Sequence, residues 1–96
     1  MKRKAKAEAL KTIKMTLTSG KVILTRHFKE RLIDRNITIQ EAVQAIKNGN
    51  IYNEAEPHPK TGNWIYNVEG KTIDGKALRI AVDILENGIV LLTVIG

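Results

Sequence analysis

A histidine and two arginines recur every four residues near the start of this chain: His27, Arg31 and Arg35. On a helix turning about 100° per residue these three stand in one row. Phe28 and Leu32 fall just beside the row and would pin it to the rim of a hydrophobic core. Like charges four residues apart cost a few tenths of a kcal/mol per pair. A chain that keeps them therefore either solvates them or presents them to an anion. Guanidinium groups stay charged and grip phosphate in a fork, and imidazole exchanges its proton near neutral pH. The combination suits a phosphate undergoing chemistry, with His27 as general acid or base and Arg31 and Arg35 as clamps. The ordinary alternative is a solvated helix face, on which Asp34 neutralises Arg31 as a surface pair and His27 bonds a carbonyl.

If the chemistry is that of a nuclease, RNA can be cut without a metal, because its own 2′-hydroxyl can attack the adjacent phosphate. The protein then has to move a proton and steady charge on the phosphoryl oxygens. Other candidates are less specific. Arg79 lies on the strand face opposite Leu78 and Ile80, as a further clamp or as the ion-pair partner of Asp83. Tyr66 and Trp64 have rings that could stack on bases, although aromatics in such a strand are ordinarily core. His58, between two prolines, reads as a solvent-exposed loop residue.

Composition narrows the field. The chain has 96 residues, enough for one core, and carries a formal net charge of +6 with no cysteine. A disulfide framework, a thiolate zinc site and a cysteine nucleophile are excluded. The two histidines do not share a metal-binding spacing, so neither a metal site nor a cofactor is expected. No apolar run approaches the roughly 20 residues that span a bilayer, and no secretory pattern is present, which reads as a cytoplasmic protein without membrane association. The charge is concentrated at the start, where Lys2, Arg3, Lys4, Lys6, Lys11 and Lys14 face Glu8 alone. Such asymmetry points to a polyanion or an acidic protein as partner, with Lys2, Arg3, Lys4 and Lys6 as candidate RNA contacts. An exposed solubilising helix is the simpler account of it.

The elements that must position these groups can be read in outline. Ala5, Ala9 and Ile13 with Leu10 and Leu17 predict a helix over 3–16, ended by Thr18-Ser19-Gly20. Residues 22–25 are a short strand or a lead-in to the next helix, which spans about 26–35 with Asn36 as a left-handed stop. Thr38 and Glu41 form a capping box for a helix closed by Asn48-Gly49. Ile51 and Tyr52 open a first strand, and hairpin signals at Asp74-Gly75 and Asn87-Gly88 separate three more. The last strand is apolar on both faces apart from Thr93, which suits an interior place in the sheet. The expected fold is α+β: two or three N-terminal helices on one face of a three- to four-stranded antiparallel meander. The division expected is a basic helical extension over 1–20 and an α+β domain over 21–96.

In order, Thr25-x-His27-x-x-x-Arg31-x-x-x-Arg35-x-Ile37, the capped helix ending in Asn48-Gly49, a tyrosine-bearing strand and a final Ile-x-x-Leu-Leu-Thr-Val strand resemble the bacterial domain-of-unknown-function family 4258. The likeness spans about residues 22–96. That family in turn resembles the barnase, EndoU, colicin and RelE-like ribonuclease folds, which include many toxins. The resemblance implies a RelE-like α+β domain and places Thr93 near the site with His27, Arg31 and Arg35. It also implies a toxin-like, metal-independent endoribonuclease acting on RNA, free or on ribosomes, and neutralised by a cognate antitoxin. A non-catalytic RNA- or protein-binding module of the same fold is the alternative.

Overall fold

A computed structural model describes residues 2–96. The first helix, α1, runs Lys6–Ser19, three residues later than its apolar spacing predicts. The hydroxyls of Thr16, Thr18 and Ser19 donate to the carbonyls of Thr12, Lys14 and Met15 at 2.7, 3.4 and 3.1 Å. Residues that read as a terminator are thus satisfied inside the last turn. Ala9 and Ile13 of α1 are fully buried in the same core as the later elements.

Lys21–Leu24 is a strand, β1, and it pairs in parallel with the final strand. The helix α2 spans Arg26–Asp34 and is capped by Thr25, whose Oγ1 accepts from the Phe28 N–H at 3.0 Å. Asn36, with φ of 55°, provides the left-handed stop. The helix α3, Ile39–Lys47, opens on the expected capping box: Thr38 Oγ1 accepts from the Glu41 N–H at 3.0 Å, and Glu41 Oε1 accepts from the Thr38 N–H at 2.9 Å.

Gly49 does not close α3 in a left-handed conformation, as the Asn48-Gly49 pair suggested. Its requirement is space. A Cβ on Gly49 would lie 2.7 Å from the carbonyl oxygens of Ala45 and Glu69, and one on Gly70 would overlap the Ala45 oxygen. The two glycines let the end of α3 touch the sheet backbone.

The sheet has five strands in the order β1-β5-β4-β3-β2, where β2 is Glu56–Pro57, β3 Trp64–Lys71, β4 Ala77–Leu85 and β5 Gly88–Ile95. Two corrections to the expected meander follow. The sheet is mixed, because β1 joins it parallel to β5, a pairing between segments too far apart to read locally. The first antiparallel edge is Glu56–Pro57 rather than Ile51-Tyr52; that region contributes only the bridge of Asn50 to Glu69. As expected, β5 is interior, between β1 and β4.

The core lies on one sheet face, where Phe28, Leu32, Ala42 and Ile46 meet Val68, Ile80, Val82, Ile89, Leu91 and Val94. Alternation along the strands sends the other side chains to the opposite face, on which Ala81 and Asp83 are also buried. By register these are Ile65 and Asn67 of β3, Arg79, Ala81 and Asp83 of β4, and Val90, Thr93 and Ile95 of β5. A bulge shifts the register between Ala81 and Val82, leaving Leu92 as the extra residue of β5.

Candidate functional site

The start of α2 is fastened where that bulge falls. The Thr25 hydroxyl faces the carbonyl oxygens of Leu91 and Leu92 at 3.2 and 3.1 Å, and the Thr25 N–H donates to Leu91 at 3.3 Å. The far end of α2 is fastened to the end of β5, where Arg35 Nη1 donates to the Gly96 carbonyl at 2.9 Å. The helix therefore runs beside the last residues of β5. The ten steps from Thr25 to Arg35 rise about 15 Å on a helix, and the four steps from Leu92 to Gly96 cover about 13 Å of strand.

Phe28 and Leu32 are buried and hold α2 against the sheet, as their places beside the row required. His27 is exposed, Arg31 half-buried and Arg35 exposed. Arg31 carries the unusual feature: its Nε is shut off from solvent and has no hydrogen-bond partner. A buried donor left unpaired costs about 1–3 kcal/mol, more when charged. The expected neutralisation by Asp34 is not made. Among the described residues, the ion pair on this helix is Arg26 with Glu30 at 3.3 Å, on its solvent side.

Thr93 and Arg79 lie on the sheet face opposite the one on which Phe28 and Leu32 are buried. Thr93 stands opposite Ala81 and is half-buried; Arg79 stands opposite Ile95 and is exposed. His27, Arg31 and Arg35 share α2, which is fastened along the second half of β5, while Thr93 belongs to that half of β5 and Arg79 to the neighbouring part of β4. The alternative pairing of Arg79 with Asp83 does not form. Four residues along a strand separate them by about 13 Å, and Asp83 is 5% exposed.

The remaining candidates lie elsewhere. Tyr66 is 3% exposed on the core face, and its hydroxyl accepts from the Lys4 N–H at 2.8 Å. Its ring is core, which corrects the base-stacking reading. Arg3 lies over the Trp64 ring, 5.3 Å from its centroid, and 3.8 Å from Glu54. Lys6 reaches Glu54 at 3.4 Å and Lys4 reaches Glu8 at 3.9 Å; Lys2 is exposed. This basic segment is seated at the β3 side of the molecule, away from α2.

Sequence reasoning treated Asp83 only as a partner for Arg79 and missed its own setting. It stands opposite Ile65 and Val90, and its Oδ1 is buried without a hydrogen-bond partner. Burial raises its pKa above the ordinary carboxylate range, and the neighbouring His58 and Asn63 only partly oppose this. A lone acid in the apolar run Ile80–Leu85 was the available signal. Asp74, by contrast, is held below that range by the hydrogen bond from Thr72 in the β3–β4 turn.

Among the described residues no three His, Cys, Asp or Glu side chains converge to hold a metal ion. No helix among them is long and apolar enough to cross a membrane. The chain matches no curated protein and no solved structure. A family model described as Domain of unknown function (DUF4258) does match, over residues 24–95. The match takes in α2, its cationic row and every later element, so the chain belongs to that family.

Proposed function

We propose that the corner built by α2 and β5 binds an RNA phosphate and cleaves the chain there, as a metal-independent endoribonuclease of the toxin type. The observation that carries this reading is the unpartnered, buried Nε of Arg31, in a row that no Asp or Glu neutralises among the described residues. A phosphate oxygen is the acceptor that would satisfy it, in a charge-assisted bond of the strong class. Arg35 flanks the same phosphate.

In the reaction, His27 takes the proton from the 2′-hydroxyl as the 2′-oxygen bonds to phosphorus. The bond from phosphorus to the 5′-oxygen breaks, and that oxygen takes a proton from solvent. The products are a 2′,3′-cyclic phosphate and a 5′-hydroxyl end. Arg31 and Arg35 steady the extra charge on the phosphoryl oxygens as it develops. The resemblance of family 4258 to the RelE-like ribonuclease folds supports the same reading. It adds a cytoplasmic target, RNA free or on ribosomes, and a cognate antitoxin that covers the cationic corner.

One observation favours a second reading, a non-catalytic RNA- or protein-binding module: His27 has no second acid–base side chain in its row. Incubation with labelled RNA in excess EDTA separates the two. Cleavage by wild type but not by a folded His27→Ala variant, with cyclic or 3′-phosphate ends, supports the nuclease. Salt-sensitive binding by both proteins without turnover, on free RNA and on ribosomes, supports the module.

A further inference from the structure

An open groove runs along the outer side of α3 and on to the β3–β4 turn. Its first part, about 400 Å³, lies on α3, where Ile39, Val43 and Lys47 follow one another at i, i+4 and i+8. Its second part, about 470 Å³, continues from Asn48, which borders both, past Tyr52 to Lys71, Thr72 and Leu78. Ile39 and Tyr52 are 47% and 61% exposed, and Ile73, next along the turn, is 84% exposed.

Both walls are held in place. Gly49 and Gly70 bring the end of α3 against the sheet backbone. In the turn, the buried Thr72 hydroxyl donates to Asp74 and accepts from the Lys76 N–H at 3.0 Å, and the Thr72 N–H donates to the Lys76 carbonyl at 2.9 Å. Ile73 is thus kept in water by a turn bonded to itself. Apolar side chains exposed singly need no explanation, but Ile39, Val43 and Tyr52 border one groove with Ile73 beside it. Apolar residues along a groove are what the apolar side of a helix docks on.

Charge decides the occupant. Lys47 and Lys71 are exposed, and among the described residues neither has an Asp or Glu within ion-pair distance. The nearby carboxylates are engaged within the chain, Glu69 by Asn53 at 3.4 Å and Asp74 by Thr72. A second copy would bring the same lysines and a net charge of +6. RNA would meet the lysines but set its charged backbone against Ile39, Val43 and Ile73. An acidic helix with one apolar side suits both kinds of residue.

We infer that this groove docks a short amphipathic helix of a partner protein. Its apolar side rests on Ile39, Val43, Tyr52 and Ile73, and its Asp or Glu residues lie beside Lys47 and Lys71. Ile39 to Lys47 covers about 12 Å of helix, so about three turns of partner fill the groove. The site uses none of the cationic row on α2 and stands whether or not the protein cuts RNA.

The test titrates the full chain with a synthetic peptide of about fourteen residues, leucine at i, i+3, i+4 and i+7 and glutamate elsewhere. One control peptide has lysine for glutamate, and another has serine for leucine. Backbone amide shifts should appear at Val43, Asn48, Lys71 and Thr72, and the acidic leucine peptide should bind about tenfold more tightly than either control. Ile39→Asp should weaken it about tenfold, the effect of losing one apolar anchor. Lys47→Glu combined with Lys71→Glu changes exposed side chains only, so the melting temperature should hold while the glutamate and lysine peptides exchange order. No binding at about 1 mM peptide, shifts confined to other surfaces, or an order that survives the double reversal would overturn the site. The same amides shifting with protein concentration alone, or with RNA, would also overturn it, giving the groove to a second copy or to nucleic acid.

Discussion

Two basic regions of this molecule differ in what surrounds their charges. The N-terminal segment holds the denser run of lysines and arginines, yet Arg3 and Lys6 share Glu54, Lys4 meets Glu8, and Arg3 also rests on Trp64. The row on α2 has fewer charges. Arg31 and Arg35 have no Asp or Glu within ion-pair distance among the described residues; Arg35 donates to the Gly96 oxygen, and Arg31 keeps a buried nitrogen without an acceptor. Density of charge follows composition; a vacancy for an anion follows from what the fold leaves unpaired. That difference is why the proposed phosphate site is placed on α2 and not on the N-terminal segment.

The most direct challenge to this contrast is His27→Ala. The side chain is exposed, so the fold and its melting temperature should be unchanged, while cleavage of RNA in EDTA should fall by roughly 10²–10⁴-fold, the usual worth of a positioned acid or base. Retained cleavage would remove α2 from the chemistry.

Arg31→Met comes next, and it separates binding from stability. The variant keeps the apolar stem and removes the unpartnered nitrogen, so unfolding in denaturant should cost about 1 kcal/mol more than in wild type. RNA affinity should fall by about tenfold or more, since a charge-assisted bond is removed. A variant that is both weaker-binding and less stable would mean that Arg31 has a structural partner after all.

Much of this arrangement was legible in the chain. The 3.6-residue spacing of Phe28 and Leu32 against His27, Arg31 and Arg35 fixed which side of α2 would be buried, because helix periodicity is local. The Thr38–Glu41 box and Asn36 were equally local. Two features were out of reach. The parallel pairing of β1 with β5 joins residues 21–24 to 88–91, and nothing in Val22–Leu24 names its partner. The burial of Asp83 depends on a turn about twenty residues earlier in the chain, so strand alternation could place it on the Arg79 face but could not say what would cover it. Tyr66 shows the same limit: its ring side follows from alternation, whereas its bond to the Lys4 backbone does not.

Salt dependence probes the same contrast without requiring turnover. Removing one cation from a phosphate in a single-stranded complex lowers the slope of log affinity against log salt by about 0.7. Arg35→Ala should produce that change, and Lys6→Ala should leave the slope where it was. Equal effects would return the two regions to one continuous basic surface.

Asp83 marks a third region, where charge is buried instead of presented. Its pKa is raised in the fold by burial, so the native state binds this proton more tightly than the unfolded chain does. The stability this contributes is full below the ordinary carboxylate pKa and is lost as pH rises through the raised value. Asp83→Asn should therefore raise the melting temperature by a few degrees at pH 7, and the gap should close as pH falls towards 4. A constant gap across that range would mean that the carboxyl keeps its ordinary pKa.

The smallest effect comes from turning one region into the other. Glu54→Gln removes the carboxylate that Arg3 and Lys6 share, at 3.8 and 3.4 Å, and leaves their side chains in place. The pairs are well exposed, so the fold should lose less than about 1 kcal/mol. The freed charges then become available to a polyanion, and RNA affinity at low salt should rise by a factor of about two to three. The gain should vanish at about 0.5 M salt, where screening shortens to a few ångströms, and the cleavage rate at saturating RNA should not move. If the rate at saturation rises too, the N-terminal segment belongs to the site, and compensation by Glu54 is then a restraint on activity.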